Sequence, residues 1–370
     1  MGKIQDKVGT GKKKIGRQTF VFSEEPIIAS TGSVVGVKEG QGPLGKWFDI
    51  VLDEDTFGEK TWEKSESKML KEAINLAIQK GGKTKEDIDI IMTGDLLNQL
   101  MSSAFMARDM QVPFVGLYGA CSTMAESLLM GSILIDGGYG EAIVTGASSH
   151  YCTAERQFRM PLEHGNQRPP SAQWTATASG ATLLLHNNDF DTKRGVVMLE
   201  AEKNKPIEEK KICVTHGTVG KIIDTGLTDI NQMGAAMAPA FVDTLLNHLE
   251  DTGRNLEYYD LVLSGDLGRV GKQIAIDLLC DAGLNKEQLE KRYNDCGVMI
   301  YEEGQDTHSG GSGCGCSASV FAGHIYKLMK KGELNKVLLI STGALLSTIS
   351  PGQGESIPGI AHAVAVETRR

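Results

Sequence analysis

The sequence predicts an α/β protein with a parallel-dominated sheet, made of two copies of one strand–helix unit. Two observations carry the prediction. Short apolar runs at Ile88–Met92, Pro113–Leu117 and Glu141–Gly146 alternate with segments of helical periodicity, the order in which helices connect parallel strands. The second half then repeats the first. Asp89-Ile-Ile-Met-Thr-Gly-Asp-Leu96 returns 171 residues later as Asp260-Leu-Val-Leu-Ser-Gly-Asp-Leu267, and Thr31-Gly-Ser-Val-Val-Gly36 is echoed by Thr215-His-Gly-Thr-Val-Gly220. Gly310–Ser319 followed by Lys336–Ala344 mirrors Gly119–Ala147. A chain of 370 residues, 41% apolar and 23% charged, is long enough to bury a large core of this kind.

Taken in order, residues 1–17 form a basic arm, with Lys3, Lys7, Lys12, Lys13, Lys14 and Arg17 facing one acid, Asp6. It is expected to be a disordered, solvated tail, with contact to an anionic membrane as the functional alternative. The first repeat spans 18–200 and the second 201–370, with the seam near 195–210, where Lys, Glu and Asn dominate. Residues 18–23 and 26–35 read as strands, and the Gly-rich run 36–45 as a loop. Apolar positions Trp62, Met69, Ala73, Leu76 and Ala77 make 61–80 an amphipathic helix, stopped by Gly81-Gly82. Thr84 can cap a short turn before the strand 88–92, and a helix follows over roughly 97–110.

The strand 113–117 feeds the most informative stretch, Gly116-Leu-Tyr-Gly-Ala-Cys-Ser-Thr123. It reads as a strand end, a tight turn through Gly119 and Ala120, and a helix opened by Ser122 and Thr123, so that Cys121 sits on the elbow. A thiol at a helix N-terminus faces unpaired N–H groups that favour thiolate and any bound anion. The same pattern suits a small buried residue that lets strand and helix pack closely, and locally neither reading wins.

A net charge of −9 gives no footprint for nucleic acid. No apolar run is long enough to span a bilayer and no signal peptide is evident, so the chain is expected to stay in the cytoplasm. Seven cysteines at irregular spacings read as reduced thiols, and Cys314-Gly-Cys316 lacks the second pair that a structural zinc site requires. Residues 147–175 have no counterpart in the second half. They carry His150, Arg156, Arg159, His164, Arg168, Pro169-Pro170 and Trp174, and an insertion over a rigid scaffold is a common place for binding groups.

These residues add up to a resemblance. Two strand–helix units, with Gly-Ala-Cys-Ser-Thr123 at one elbow and Gly310-Gly-Ser-Gly-Cys-Gly-Cys-Ser317 at the other, resemble the thiolase-like fold and its ketoacyl-synthase branch, which implies a layered α/β/α/β/α arrangement. Trp62-Glu-Lys, Thr93-Gly-Asp-Leu-Leu-Asn-Gln99, Ser148-Ser-His150, Thr153-Ala-Glu-Arg-Gln-Phe-Arg159 and Pro169-Pro170 further resemble the stage V sporulation protein AD family, from about residue 18 to the C-terminus. The resemblance implies binding of dipicolinic acid, alone or with Ca2+, and its uptake into the developing spore. It also implies membrane-embedded partners encoded in the same operon, a peripheral place at the inner spore membrane, and a homodimer paired through strand 113–118.

The planar dianion of that acid suits forked guanidinium donors and a helix N-terminus. The candidate ligand-binding set is therefore Cys121, Tyr118, Ser122, His150, Arg156, Arg159, Arg168, Ser264 and His308, with Tyr118 or Trp174 available to stack. The alternative for Arg156 and Arg159 is pairing with Glu155 or Glu163 on a helical turn. Calcium bound by the ligand needs no acidic cage. Asp95 and Asp266 read as structural caps.

Condensing enzymes of the fold also need a histidine and an asparagine, or a second histidine, from the second half. The histidine position falls on Ser264 or Gly265, and Gly310–Ser319 holds only Gly, Ser, Cys and Ala. Loss of one oxyanion donor alone costs about 10²–10³ in rate. The chain is therefore expected to bind rather than catalyse, with Cys121 a remnant nucleophile and His150, His308 or His362 the candidates for rescue; the alternative is an acyl-transferring or condensing enzyme that uses Cys121.

Overall fold

The structure is a computed structural model, and it describes residues 13–158, 168–187 and 210–369. Ten strands form its frame: β1 (Ile27–Val35), β2 (Ile90–Gly94), β3 (Phe114–Gly116), β4 (Ala142–Ser149), β5 (Ala178–Leu185), β6 (Lys211–Thr218), β7 (Leu261–Ser264), β8 (Tyr293–Asp295), β9 (Lys336–Ala344) and β10 (Gly359–Arg369). The first half is ordered β1-β5-β4-β2-β3 and the second β6-β10-β9-β7-β8, the same order twice. In each half the final strand is antiparallel to both of its neighbours, and the remaining pairs are parallel. The halves join edge to edge where β1 meets β6 at Ile27 and Cys213.

The helices that position the site are α1 (Trp62–Lys80), α2 (Met101–Met110), α3 (Thr123–Asp136), α4 (Tyr151–Phe158), α5 (Met233–Thr252), α6 (Gly268–Asp281) and α7 (Cys314–Val320). α1, with α2 against it, covers β1, β4 and β5 on one outside, while α5 covers β9 and β10 on the other and packs on α6. Between the two sheets lie α3 and α7, each in contact with strands of both halves. The result is α/β/α/β/α layering around a nearly continuous apolar core.

Local chemistry explains the main helices. Thr61 caps α1 through the N–H of Lys64 (3.4 Å), and α1 buries Met69, Leu70, Ala73, Ile74, Ala77 and Ile78 along one face. α7 is fully buried and runs on through a wide turn at Phe321–Ile325 to Lys331. Two expectations are refined. The Gly-rich run contains short helical turns at Val37–Gly40 and Gly45–Trp47, and the helix expected from 97 begins at Met101 after an irregular stretch. Of the basic arm, Lys14–Ile15 pairs with Thr19–Val21, and the Lys13 ammonium lies 2.8 Å from Asp136. Most of the seam lies outside the described residues.

Candidate functional site at the first elbow

β3 ends at Gly116, and the chain turns through Ala120 in left-handed backbone (φ 49°) before α3 begins. The turn is braced from within. Ser122 Oγ donates to the Gly119 carbonyl and Thr123 Oγ1 to the Ala120 carbonyl, both at 2.7 Å. Strand β9 closes against the turn at Gly343, where a Cβ would stand 2.4 Å from the Gly119 carbonyl oxygen. Cys121 thereby lines a narrow cavity of about 40 Å3, open in part to solvent. α4 contributes Ala154, Glu155 and Phe158 to the lining and Leu96 adds to it; Ile230, Met233 and Leu346 from the second half complete the rim. The ribbon Trp174–Thr175, paired with Gly311–Ser312, adds Thr175 and Ser312.

Under Cys121 lies Asp266, fully buried. Its carboxylate accepts the Gly313 N–H and the Thr342 hydroxyl, each at 2.8 Å, and its charge bears on the Cys121 thiol. Burial pushes Asp266 up to about 7, while the neighbouring donors pull it down. Burial, and then the charge of Asp266, push the Cys121 thiol well above its ordinary value. Of the two readings of Cys121 the buried thiol is favoured on magnitudes: a helix terminus is worth about 0.3–1 kcal/mol, whereas burying an ion costs several kcal/mol.

The candidate residues divide clearly. Cys121 and Tyr118 line the cavity, Tyr118 with 46% of its surface exposed at the mouth. Ser122 is adjacent but engaged with Gly119. His150 is buried elsewhere, with Nε2 2.9 Å from the Asp55 carbonyl, Nδ1 accepting from Cys152 N–H, and burial favouring its neutral form. Arg156 pairs with Glu63 over the Trp62 ring, so its partner is neither of the acids expected. Arg168 donates to the carbonyl of Asp306 (2.6 Å) and lies 4.7 Å from the Trp174 ring centroid, over which Lys38 also sits at 3.9 Å. Trp174 itself stacks on Tyr151 at 3.7 Å, so it is not available to a ligand in the cavity.

Ser264 bonds Asp295 (2.6 Å) and Tyr293 (3.0 Å) and is not part of the site; the residue facing Cys121 from this segment is Asp266, two positions on. His308, in left-handed backbone, holds its ring 3.6 Å from Asp306, and Arg168, Lys38 and Arg269 donate to the carbonyls of Asp306, Gln305 and His308 along the loop that leads to the second elbow. His362 accepts from Gly220 N–H and is held neutral by burial, which lowers it to about 4. Arg159 lies outside the described residues, as does His164. Asp266, Glu155, Thr175 and Ser312 were missed; the only signal for Asp266 was its repeat partner, which has a structural task.

Comparison with known proteins now decides the family. The profile described as "Stage V sporulation protein AD (SpoVAD)" matches residues 16–367. The chain belongs to the stage V sporulation protein AD family. It is 41% identical over 355 residues to the protein of that name from Bacillus subtilis (strain 168), covering 96% of this chain and 98% of that one. The fold is that of the thiolase-like synthases: the 3-oxoacyl-[acyl-carrier-protein] synthase III of Aquifex aeolicus VF5 aligns with a TM-score of 0.53 at 12% identity, over 92% of this chain and 99% of its own. A variant of OleA from Xanthomonas campestris aligns with 0.57 at 11% identity, over 94% and 99%. Membership makes this a sporulation protein on a thiolase-like scaffold, and no helix among the described residues is long and apolar enough to cross a membrane.

Proposed function

We propose that this protein binds dipicolinic acid in the cavity over Cys121, serves its uptake into the developing spore together with membrane-embedded partners, and catalyses no condensation. The observation that carries this is the Cys121–Asp266 contact. A nucleophilic thiol needs a base that takes its proton and donors for the oxyanion. Here an acid held by two other donors keeps the thiol protonated, and none of the described lining residues is a histidine or an asparagine.

The charge of the cavity selects the form of the ligand. Its described lining contains no lysine, arginine or histidine and includes one carboxyl side chain, Glu155. A bare dianion would find no cationic partner among these lining residues. The calcium chelate carries no net charge and brings two carboxylate oxygens and the ring nitrogen to the metal, leaving water or protein oxygens to complete its shell. Apolar walls at Leu96, Phe158, Ile230 and Met233 suit the flat ring.

Calorimetric titration of dipicolinate with and without calcium, into wild type and Cys121→Ala, tests the reading beside mass spectrometry after exposure to acyl-CoA. The expected result is saturable binding, tighter with calcium, and no acyl adduct. An acyl-Cys121 adduct without dipicolinate binding would replace this reading with a working acyltransferase.

A further inference from the structure

Two of the sequence strings that carried the family resemblance, Asp95–Gln99 and Ala154–Phe158, are tied together by one side chain. Gln157 Nε2 donates to the Leu96 carbonyl (3.0 Å), and its Oε1 accepts from Asn98 N–H (3.1 Å). Both strings contribute lining to the cavity, Leu96 from one and Ala154, Glu155 and Phe158 from the other. Gln157 does not line the cavity itself; it clasps the two segments.

The clasped segment is under strain. Gln99 (φ 55°) and Leu100 (φ 53°) are consecutive non-glycine residues in left-handed backbone, a conformation that persists only where the surroundings impose it. The roots of the segment are fixed by the Asp95 carboxylate, which accepts from Leu97 N–H (2.8 Å) and Ser103 N–H (2.7 Å). Its crest, Asn98 and Gln99, is exposed, and the Gln157 carboxamide bonds the crest side of the loop. Without Gln157 the segment keeps its roots and loses both bonds to α4.

We propose that Gln157 is the positioning residue of the cavity: by clasping the strap Leu96–Leu100 to α4 it fixes the spacing of these two lining segments and slows the escape of a flat ligand from the cavity. The identity of that ligand rests on the binding reading above; the clasp does not. Two hydrogen bonds from one carboxamide join α4 to the strap, so the spacing of the two segments leans on a single rotamer.

The test uses the full chain as wild type, Gln157→Ala and Gln157→Glu, the last keeping the acceptor for Asn98 N–H and losing the donor to Leu96. Hydrogen exchange in peptides covering 96–103 is expected to quicken about tenfold in Gln157→Ala, the effect of two ordinary hydrogen bonds, with the rest of the chain unchanged. Release of calcium dipicolinate, followed by stopped flow, is expected to quicken by a similar factor of about ten, with Gln157→Glu between the two. Unchanged exchange at 96–103 overturns the clasp, and so does exchange raised evenly over the chain. Faster local exchange with unaltered release overturns the positioning role. Should wild type bind no dipicolinate, the binding reading falls, and the labelling of Cys121 by maleimides of graded size then decides: faster labelling by the bulkier reagents in Gln157→Ala upholds the clasp as the setter of this spacing, and equal labelling overturns it.

Discussion

Asp95 and Asp266 close the same strand–Gly–Asp–Leu string, 171 residues apart, and face different ways. Asp95 turns to its own chain and accepts from Leu97 and Ser103 N–H, holding the segment that leads into α2. Asp266 turns across the molecule to Cys121, Gly313 and Thr342. It is free to do so because Asp295 performs the local task in its half, accepting from Leu267 N–H (2.8 Å), Gly268 N–H and Val298 N–H (both 3.0 Å) and from Ser264. Asp295 stands beside Ser264 in the register of β7 and β8, and its counterpart beside Thr93 in β2 and β3 is Gly116. With Asp295 on the outer strand satisfying the local N–H groups, Asp266 is left to face across the molecule.

The largest effect expected from breaking this comparison is at Asp295. Asp295→Ala leaves three buried N–H groups and a hydroxyl without an acceptor and is expected to cost about 3–5 kcal/mol. Asp95→Ala, with two N–H groups orphaned, is expected at about 2–3 kcal/mol. Asp266→Ala adjoins the cavity, where water can replace the lost oxygens, and is expected at about 1–2 kcal/mol, with faster alkylation of Cys121 once the opposing charge is gone. Urea midpoints give the order. Equal losses at 266 and 295 would show that both acids are structural and that the division of labour is wrong.

Much of this was legible beforehand, and the boundary has a physical cause. The duplicated frame, the elbow and the place of Cys121 follow from periodicity and turn chemistry, which act within a few residues. The cap at Thr84 is of the same kind, and its capping box with Asp87 is present. What failed depended on partners distant in sequence. Arg168 meets the loop that holds Asp306 and His308, with Asp306 138 residues away, where the ribbon 174–175 pairs with 311–312. Along that ribbon alternate residues face opposite sides, so Thr175 reaches the cavity while Trp174 meets Lys38, Arg168 and Tyr151. The state of Cys121 stayed open in the sequence for a related reason: burial and Asp266, both products of the tertiary fold, outweigh the local helix field.

Titration touches both halves, with Asp266 raised to about 7 in the second and His150 lowered in the first, but the deepest histidine shifts gather in one half. Burial holds His216 at about 4, His248 at about 3 and His362 at about 4, all in the second half. Their folded values lie below the unfolded value near 6.5, so the unfolded chain binds more protons in between, and the stability they contribute is lost as pH falls from about 6.5 towards 4. In the first half, burial raises Glu39 to about 7 and Glu66 to about 8. Here the folded state binds the extra protons, so the stability is fully present below about 4.5 and is lost as pH rises through 7 to 8. Hydrogen exchange compared at acid and alkaline pH is expected to loosen β6, β10 and α5 first on the acid side and α1 with its surroundings first on the alkaline side. Uniform loosening at both extremes would mean that the halves share one cooperative unit.

The smallest effect on stability is expected at the outer strands, where the copies differ in what covers them. In the second half β8 is packed by α6 and the helix Lys286–Arg292, and its Asn294 accepts from Lys272 (2.9 Å). The equivalent residue of β3 is Val115, 41% exposed on an edge with Tyr118 close by, itself half in solvent. A short edge strand with exposed apolar side chains is a template for pairing with another copy, and the homodimer expected through 113–118 would cover it. A lysine there blunts the edge without touching the core. Val115→Lys is expected to change the urea midpoint by no more than about 0.5 kcal/mol while shifting sedimentation at micromolar concentration from dimer to monomer. A wild type that sediments as a monomer would remove the dimer, and a dimer that survives the lysine would move its interface off β3.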